Sequence, residues 1–301
     1  MQRDDGQPEP LVREIGVTAP SPLVQLHDER LDGLGISLHL KRDDLIHRDL
    51  RGNKWRKLRP NLEAARRQGH TRLLTFGGAF SNHLAATAAA GRLYGFDTVG
   101  VVRGEEHRPL NDVLTGVVRH GMTLTYLDRA SYRRKADPNV ISGLRKRFGD
   151  FYLIPEGGSN ALAVQGCTEI SREIGSGFDI ICCPCGTGGT LAGIAAGLTP
   201  HQRAIGFSVL KGGDFLAGEV RRLQSEAFGF MRGNWSVESE FHFGGFAKRA
   251  AALDDFIADF RQRHSLDLDW VYVAKMMYGI FSLACRGSFP DGSRLVAVVT
   301  G

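Results

Sequence analysis

The chain has 301 residues, of which 42% are hydrophobic, 24% charged and 9% aromatic, and its formal net charge at pH 7 is +5. This composition excludes a disordered protein, a fibrous repeat and a small disulfide-stapled scaffold, and the length favours about two domains. The basic residues are interspersed with acidic ones, so no contiguous basic surface for nucleic acid is predicted.

Strands and helices alternate along almost the whole chain. The predicted strands cover 36–41, 72–76, 98–103, 122–127, 151–154, 179–184, 204–209 and 295–299. The predicted helices cover 55–68, 81–94, 110–120, a basic segment ending near 148, 161–174, 190–197, 214–227, 250–263 and 278–285. Pro60 is expected to make the first helix irregular. Repeated β–α units predict an α/β fold with open, mostly parallel sheets and helices on both faces.

Ligands of such sheets bind at the carboxyl ends of the strands, so the turns there are candidate sites. The first candidate is the turn Gly186-Thr187-Gly188-Gly189-Thr190, between an apolar strand and a helix rich in Ala and Gly. Its glycines let N–H groups converge on an anion, and both threonines add hydroxyl donors. Because Leu191 breaks the dinucleotide fingerprint, a single phosphate monoester fits best. The alternative is an ordinary tight turn.

Two further candidates contain polar side chains next to glycine. In GGAFSNH, Ser81 is either a helix N-cap or, with Asn82 and His83, part of a site for a carboxylate or a ring oxygen. In GNKWRKL, Lys54 directly follows Gly-Asn at the start of a helix, where a desolvated amine can form a Schiff base. The alternative there is a surface lysine on a basic helix.

Cysteine usage and hydropathy bear on metal binding and compartment. The five cysteines are an odd number, and no second Cys or His pair stands at zinc-site spacing, so no metal site is predicted. The first residues are polar and charged, so no signal peptide is predicted, and a cytoplasmic location is expected. The uncharged stretches 73–91 and 180–202 are interrupted by glycines and polar residues, so no membrane span is expected.

Four motifs in chain order are more specific together than alone: GNKWRKL, TFGGAFSNH, PEGGSNALAVQG and PCGTGGTLAG. With them, residues 18–301 closely resemble the pyridoxal-phosphate family of D-cysteine desulfhydrase and 1-aminocyclopropane-1-carboxylate (ACC) deaminase. The resemblance implies a tryptophan-synthase-β-like fold, which is fold type II of these enzymes. It also implies pyridoxal 5'-phosphate (PLP) as the cofactor.

The resemblance assigns roles to single residues. Lys54 matches the lysine that bonds to the cofactor and moves protons at the substrate α-carbon, and Lys57 matches a lysine that reaches the phosphate. Ser81 matches a serine with carboxylate-binding and acid/base roles, and Tyr272, in LDWVYVAK, matches an active-site tyrosine. The other implied contacts are Gly186 to Thr190 at the phosphate, Asn82 at the phenolic oxygen, Thr300 at the ring nitrogen, and Asn82, His83, Ser159 and Phe246 at the substrate.

Three positions depart from the family pattern. Val273 stands where family members carry Thr or, in the deaminases, Glu, and Phe246 stands where a second tyrosine is expected. The closing VVTG ends at Gly301, one glycine short of the family's TGG motif. Since opening a cyclopropane ring is expected to use both tyrosines and the Glu, these departures argue against deaminase activity.

We therefore predict a PLP-dependent lyase that acts on a small amino acid by a D-cysteine desulfhydrase-like α,β-elimination, giving a 2-oxo acid, ammonia and sulfide. The alternatives are an ACC deaminase-type enzyme, another deaminase or racemase of this fold, and a non-catalytic PLP-binding homologue. Residues 1–60 and 165–301 are predicted to form a large cofactor-binding domain, and residues 61–164 a small domain that closes over the substrate. A homodimer without nucleic-acid or membrane partners is expected.

Overall fold

The computed structural model describes residues 15–50 and 52–300. Its strands are β1 (Leu23–Leu26), β2 (Ser37–Lys41), β3 (Arg72–Gly77), β4 (Asp97–Arg103), β5 (Thr123–Leu127), β6 (Tyr152–Ile154), β7 (Ile180–Cys185), β8 (Arg203–Ser208), β9 (Asn234–Glu238) and β10 (Arg294–Val298). Its helices are α1 (Glu29–Asp32), α2 (Asn53–Arg67), α3 (Asn82–Tyr94), α4 (Asp112–Arg119), α5 (Arg129–Arg133), α6 (Pro138–Phe148), α7 (Ala161–Ile174), α8 (Gly189–Ala196), α9 (Phe215–Phe228), α10 (Ala251–His264) and α11 (Val273–Cys285).

The strands form two sheets. Sheet A has the order β1-β2-β10-β7-β8-β9, with β1 antiparallel to β2 and every other pair parallel. Sheet B has the order β5-β4-β3-β6 and is parallel throughout. In sheet A, Val296 of β10 stands opposite His39 on one side and Ile181 on the other. The predicted α/β fold with two mostly parallel sheets is confirmed.

Sheet A is covered on both faces, which explains the nearly continuous apolar sequence of β7. Ile180 and Cys182 pack into a cluster with α10 and α11, whereas Ile181, Cys183 and Cys185 pack into a second cluster with α7, α8 and α9. Burial raises the pKa of the Cys182 thiol to about 12, so this side chain stays protonated and acts as a small hydrophobe.

Helix α2 is continuous through Pro60, so the irregularity expected there is not found. Pro60 has no N–H to donate to the carbonyl oxygen of Arg56, one turn earlier. Helix α7 approaches α2 at this point through Gly166, and a Cβ on that glycine would lie only 2.0 Å from the Arg56 oxygen. The missing side chain at position 166 therefore sets how closely the two helices pack.

Changing Gly166 to alanine is expected to lower the free energy of unfolding by about 1–3 kcal/mol, because the added methyl group forces α2 and α7 apart. Gly143, inside α6, is the matched control, since a Cβ there would have no heavy atom within 4 Å. Gly143→Ala is expected to stabilise the protein by about 0.5–1 kcal/mol through backbone entropy. Urea unfolding measures both, and equal effects of the two changes would contradict this account of the contact.

The structure contains elements that sequence patterning missed. β1 and β9 are edge strands of sheet A, and α11 begins at Val273 rather than at the predicted residue 278. The domain boundaries near residues 60 and 165 stay a prediction, and residue 60 lies within α2. None of the helices described is long and apolar enough to cross a membrane. Residues 15–50 and 52–300 also contain no group of three or more His, Cys, Asp or Glu placed to hold a metal ion.

Candidate active site

A cavity of about 510 Å³, here named the active cavity, lies where the carboxyl ends of both sheets meet. The segments after β7 and β8 of sheet A, and those after β3, β4 and β6 of sheet B, contribute to its wall together with the start of α2. In parallel β–α units, the carboxyl end of each strand and the N-terminus of the next helix lie at the same edge of the sheet. Because helix N-termini attract negative charge, this edge suits an anionic ligand. The polar residues that line it include Asn53, Lys54, Lys57, Ser81, His83, Arg103, Lys135, Glu156, Ser159, Thr187, Thr190 and Tyr272.

The turn after β7, Gly186–Thr190, leads directly into α8. Gly188 has a φ of +79°, a conformation that glycine adopts without strain, and α8 begins at the next residue. The first N–H groups of a helix have no helical partner and carry its positive dipole end. This glycine turn is therefore suited to a phosphate group at the cavity wall.

Lys57 lies beside the glycine turn. Its side chain is 2% exposed, and its Nζ donates to the Gly157 carbonyl oxygen at 3.3 Å and to Ser159 Oγ at 3.5 Å. Ser159 Oγ is in turn 2.6 Å from Thr187 Oγ1. Burial lowers the pKa of Lys57, and no carboxylate pairs with it within the described part of the chain. A bound anion would compensate a protonated amine here.

Lys54 stands in the first turn of α2 and reaches the active cavity. Burial, aided by the nearby charge of Lys57, lowers its pKa from 10.5 to about 7. The preceding residue, Asn53, donates from Nδ2 to Thr190 Oγ1 at 2.6 Å, which ties the start of α2 to the glycine turn. The other amide atom, Asn53 Oδ1, is buried without a hydrogen-bond partner among the described residues.

Gly52 positions the start of α2 against the end of β10. It has a φ of +66°, and a Cβ there would lie 1.4 Å from the carbonyl oxygen of Thr300. Thr300 itself is buried. A glycine is thus required where the loop before Lys54 contacts the segment after β10, and this contact brings Thr300 to the same edge of sheet A as the glycine turn.

The turn after β3 contributes Ser81, which is the N-cap of α3. Its Oγ accepts a hydrogen bond from the Leu84 N–H at 3.3 Å, and its own N–H donates to the Gly78 carbonyl oxygen at 3.0 Å. Asn82 is the first residue of α3. Ser81 therefore has the N-cap role while it also lines the cavity, so the two interpretations of the sequence are compatible.

His83 lies behind this turn and is 2% exposed. The Thr75 hydroxyl donates to the Ile154 carbonyl oxygen, so at 2.8 Å it accepts from His83 Nε2, which fixes the Nε2–H tautomer. Burial lowers the pKa of His83 well below 6.5, so the ring is neutral. Its Nδ1 is a buried acceptor with no partner among the described residues.

Tyr272 lines the active cavity from the position directly before α11. Its N–H donates to Asp269 Oδ2 at 2.8 Å, and a Cβ on Gly186 would lie 3.2 Å from its ring. Phe246 meets this ring edge-on, with 5.9 Å between the centroids. Burial, reinforced by the charge of Asp269, raises the pKa of the Tyr272 phenol well above its usual value, so the group is a proton donor at neutral pH.

The residues after Tyr272 have structural roles. Val273 is fully buried in the apolar cluster between sheet A and α11. Lys275 Nζ donates to the carbonyl oxygens of His242 at 2.9 Å and Gly245 at 2.7 Å. Lys275 thereby holds the turn that carries Phe246 against α11.

Most of the residues singled out in the sequence are brought together. Those that line the active cavity are Lys54, Lys57, Ser81, His83, Ser159, Gly186, Thr187, Gly188, Thr190, Phe246 and Tyr272. Asn82 and Gly189 are adjacent in the chain to residues that line the cavity, and Thr300 contacts Gly52. Asn53, Arg103, Lys135 and Glu156 also line the cavity and were not predicted, although Arg103 ends a predicted strand and Glu156 is the second residue of the PEGG motif.

A family model described as pyridoxal-phosphate dependent enzyme matches residues 16–301. The chain belongs to the pyridoxal-phosphate dependent enzymes. A D-cysteine desulfhydrase of Yersinia pestis is 31% identical over 293 residues, which is 90% of this chain and 88% of that protein. A Thermotoga maritima protein, provisionally named an ACC deaminase, is 32% identical over 280 residues, covering 88% and 89%.

A crystal structure of an ACC deaminase homologue has a TM-score of 0.83 and 26% identity, covering 95% of this chain and 90% of that one. The resemblance found in the motifs is thereby confirmed. The protein is a PLP-dependent enzyme of the group that includes ACC deaminases and D-cysteine desulfhydrases.

The donor groups around the glycine turn fit PLP. A Cβ on Gly189 would lie 2.7 Å from Ser159 Oγ and 3.3 Å from Lys57 Nζ, so a hydroxyl and an amine converge on the start of α8. This is a suitable donor set for a phosphate monoester. Lys54 adds an amine of low pKa that can bond to an aldehyde, and the unpartnered Asn53 Oδ1 lies next to it in the chain.

The pKa of Lys54 predicts how PLP uptake depends on pH. A neutral amine reacts with an aldehyde and a protonated one does not, so below about pH 7 the uptake rate of PLP-free protein is expected to rise about tenfold per pH unit and then to level off. Visible absorbance after mixing measures this rate. Lys54→Ala is the control, and a rate that keeps rising toward the usual lysine pKa of 10.5 would contradict the lowered value.

Proposed function

We propose that the protein catalyses a D-cysteine desulfhydrase-like α,β-elimination on a small amino acid. The observation that carries this proposal is the position of Lys54, an amine with a pKa of about 7, in one cavity with Ser81 and Tyr272. A base near neutrality and a phenol that retains its proton are the pair that such an elimination needs.

The cofactor would be held by groups already described. Lys57, Ser159 and the glycine turn would bind its phosphate, Lys54 would bond to it, and Asn82 and Thr300 would contact its ring. PLP, when bound, supplies an electron sink that makes the α-proton of an amino acid acidic. Orientation and proton transfer remain the work of the chain.

Each catalytic residue then has one task. Ser81, with the N–H groups at the start of α3, binds the substrate carboxylate. His83 Nδ1 is a hydrogen-bond acceptor, so it is available to a donor group of the substrate rather than to its carboxylate. The Lys54 amine takes the proton from the α-carbon, and the Cβ–S bond breaks. Tyr272 donates a proton to the departing sulfur. One cysteine and one water give sulfide, pyruvate and ammonia.

The departures at two positions favour thiol elimination over opening of a cyclopropane ring. Phe246 presents a ring without a hydroxyl next to Tyr272, so one phenol rather than two faces this part of the cavity. Val273 is enclosed by apolar side chains and has no group to donate a proton or carry charge. A thiol leaves as a stable anion and needs less assistance than a carbon leaving group.

The test uses the protein purified with PLP and three substrates: D-cysteine, L-cysteine and ACC. We expect D-cysteine to change the visible spectrum and to yield sulfide and pyruvate in equal amounts. ACC is expected to give no more 2-oxobutyrate than the Lys54→Ala control. Release of 2-oxobutyrate would instead identify a deaminase, inversion of cysteine a racemase, and PLP binding without turnover a non-catalytic homologue.

Assembly and location complete the proposal. We infer a homodimer in the cytoplasm with a small amino acid as its partner molecule. Residues 61–164, which contain sheet B, are proposed to act as the smaller unit that closes over the substrate.

A further inference from the structure

We propose that the substrate is a cysteine S-conjugate whose sulfur substituent ends in a carboxylate, and that a second cavity beside the active cavity binds this carboxylate. The inference rests on the proposed elimination and extends it, because the leaving thiol then carries the anionic group away. The atoms balance: the Cα–H and Cβ–S bonds break, the thiol leaves with a proton, and one water yields pyruvate and ammonia.

The second cavity has a volume of about 870 Å³ and adjoins the first. Gly78, Arg103 and Phe246 line both cavities, so the two cavities meet at these residues. A Cβ on Gly78 would lie 3.7 Å from Arg103 Nη2, which places the guanidinium against the turn that ends in Ser81. A side chain that extends beyond the reacting carbon therefore passes Phe246 and Arg103.

The charges around the second cavity are unbalanced. Four exposed cations line it, namely Arg103, Arg129, Arg133 and Lys248, and together they give this surface an excess of positive charge. Two carboxylates, Glu105 and Asp128, also line it. Asp128 is already engaged, since its Oδ1 accepts from the N–H groups of Ala130 and Ser131, at 2.8 and 3.0 Å.

An unpartnered polar atom lies in the same wall. Tyr126 lines the second cavity, and its hydroxyl is buried without a hydrogen-bond partner among the described residues. A buried hydroxyl that makes no hydrogen bond has lost its bonds to water without replacement, so a ligand that accepts from it would gain affinity. A carboxylate accepts from both a phenol and guanidinium groups, which it pairs with in planar geometry.

The volume and charge of the second cavity distinguish this substrate from free cysteine. The active cavity alone has room for a small amino acid. The added 870 Å³ and its excess of cations have no use in the elimination of sulfide from cysteine itself. A thioether of two or three carbons that ends in a carboxylate uses both spaces.

The probes are S-(2-carboxyethyl)cysteine and the neutral S-propylcysteine, in the cysteine enantiomer that the enzyme consumes. With the PLP-loaded enzyme, kcat/KM from pyruvate release is expected to be about tenfold or more higher for the charged conjugate, the advantage of hydrogen bonds to a charged group. In the double variant Arg129→Gln/Arg133→Gln, the ratio of the two kcat/KM values is expected to fall toward one. Arg119→Gln, an exposed arginine on α4 outside both cavities, is expected to keep the ratio.

Calorimetric binding of both conjugates to the Lys54→Ala protein separates the two proposals. If the charged conjugate binds more tightly than the neutral one, and the Arg129→Gln/Arg133→Gln changes abolish this difference, the second cavity is supported. This holds even if no cysteine derivative is turned over, and in that case only the proposed elimination is contradicted. Turnover of cysteine with a ratio near one overturns the second cavity and leaves the elimination intact. If the double variant keeps the high ratio of kcat/KM values for the charged and neutral conjugates, the role of the second cavity is also contradicted.

Discussion

Replacing Lys54 with alanine is expected to lower kcat for cysteine elimination by at least about 10²–10⁴-fold, the contribution of a positioned acid/base group. We expect the largest loss of kcat at this position. Among the lysines of the described residues, Lys54 alone both lines the active cavity and lies in the first turn of α2. The same change is expected to abolish the visible absorbance that a covalently held cofactor gives. Pyruvate release and the spectrum of the purified protein measure both.

The matched control is Lys146→Ala, because Lys146 is an exposed lysine on α6. It is expected to keep the wild-type kcat and spectrum. The urea midpoint of Lys54→Ala should stay close to that of the wild type, since its amine takes part in no ion pair of the described structure. Turnover that survives in Lys54→Ala would exclude this lysine as the base.

Replacing Arg56 with methionine is expected to lower the free energy of unfolding by about 3–5 kcal/mol, the range for breaking a buried ion pair by removing one partner. Arg56 is 1% exposed and donates to both oxygens of the fully buried Asp43, each at 2.9 Å. It also donates to Glu173, at 2.7 and 2.8 Å, and Lys41 pairs with that same carboxylate. The change leaves buried negative charge uncompensated.

Arg286→Met is the matched control, because Arg286 also donates twice to one carboxylate, that of Glu240, at 2.6 Å, but both side chains are exposed. Removing an exposed pair is expected to alter stability by less than about 1 kcal/mol. Urea unfolding at neutral pH compares the two. If both variants lose a similar amount of unfolding free energy, burial does not make the ion pairs of Arg56 more stabilising than the exposed pair of Arg286.

The stability provided by this network should also depend on pH. Although burial opposes it, hydrogen bonds from Arg56 and Lys41 lower the pKa of Glu173 below its ordinary value of 4.5. A carboxyl whose folded pKa is lowered stabilises the protein above the unfolded pKa, and this contribution is lost as the pH falls through the folded value. The difference between wild type and Arg56→Met should therefore shrink in acid.

Sequence reasoning succeeded where a pattern is local. The apolar run of β7 and the glycines after it predict a strand, a turn and a helix start within 20 residues, and the structure has all three. It failed at the edges of sheet A, because β1 and β9 are short and only partly buried. Apolar and polar residues alternate only weakly in an edge strand, since only part of each of its faces packs against apolar side chains.

The same contrast applies to the site. Lys54, Ser81 and the glycine turn lie in motifs that can be recognised one at a time. Arg103 became a candidate only through the order of sheet B, because β4 lies next to β3 and its carboxyl end stands beside the turn that carries Ser81. Proximity of this kind depends on strand order, which the sequence does not state.

The position of β10 has a consequence for how the protein is made. This strand joins β2 to β7, yet its residues follow those of β2 by more than 250 positions. While a ribosome synthesises the chain, the edges of β2 and β7 that pair with β10 stay exposed until β10 has emerged. Exposed strand edges of this kind can pair with other chains. The contact of Gly52 with Thr300 forms only after β10 has been made, so the site that depends on Lys54 cannot be completed before this strand is in place.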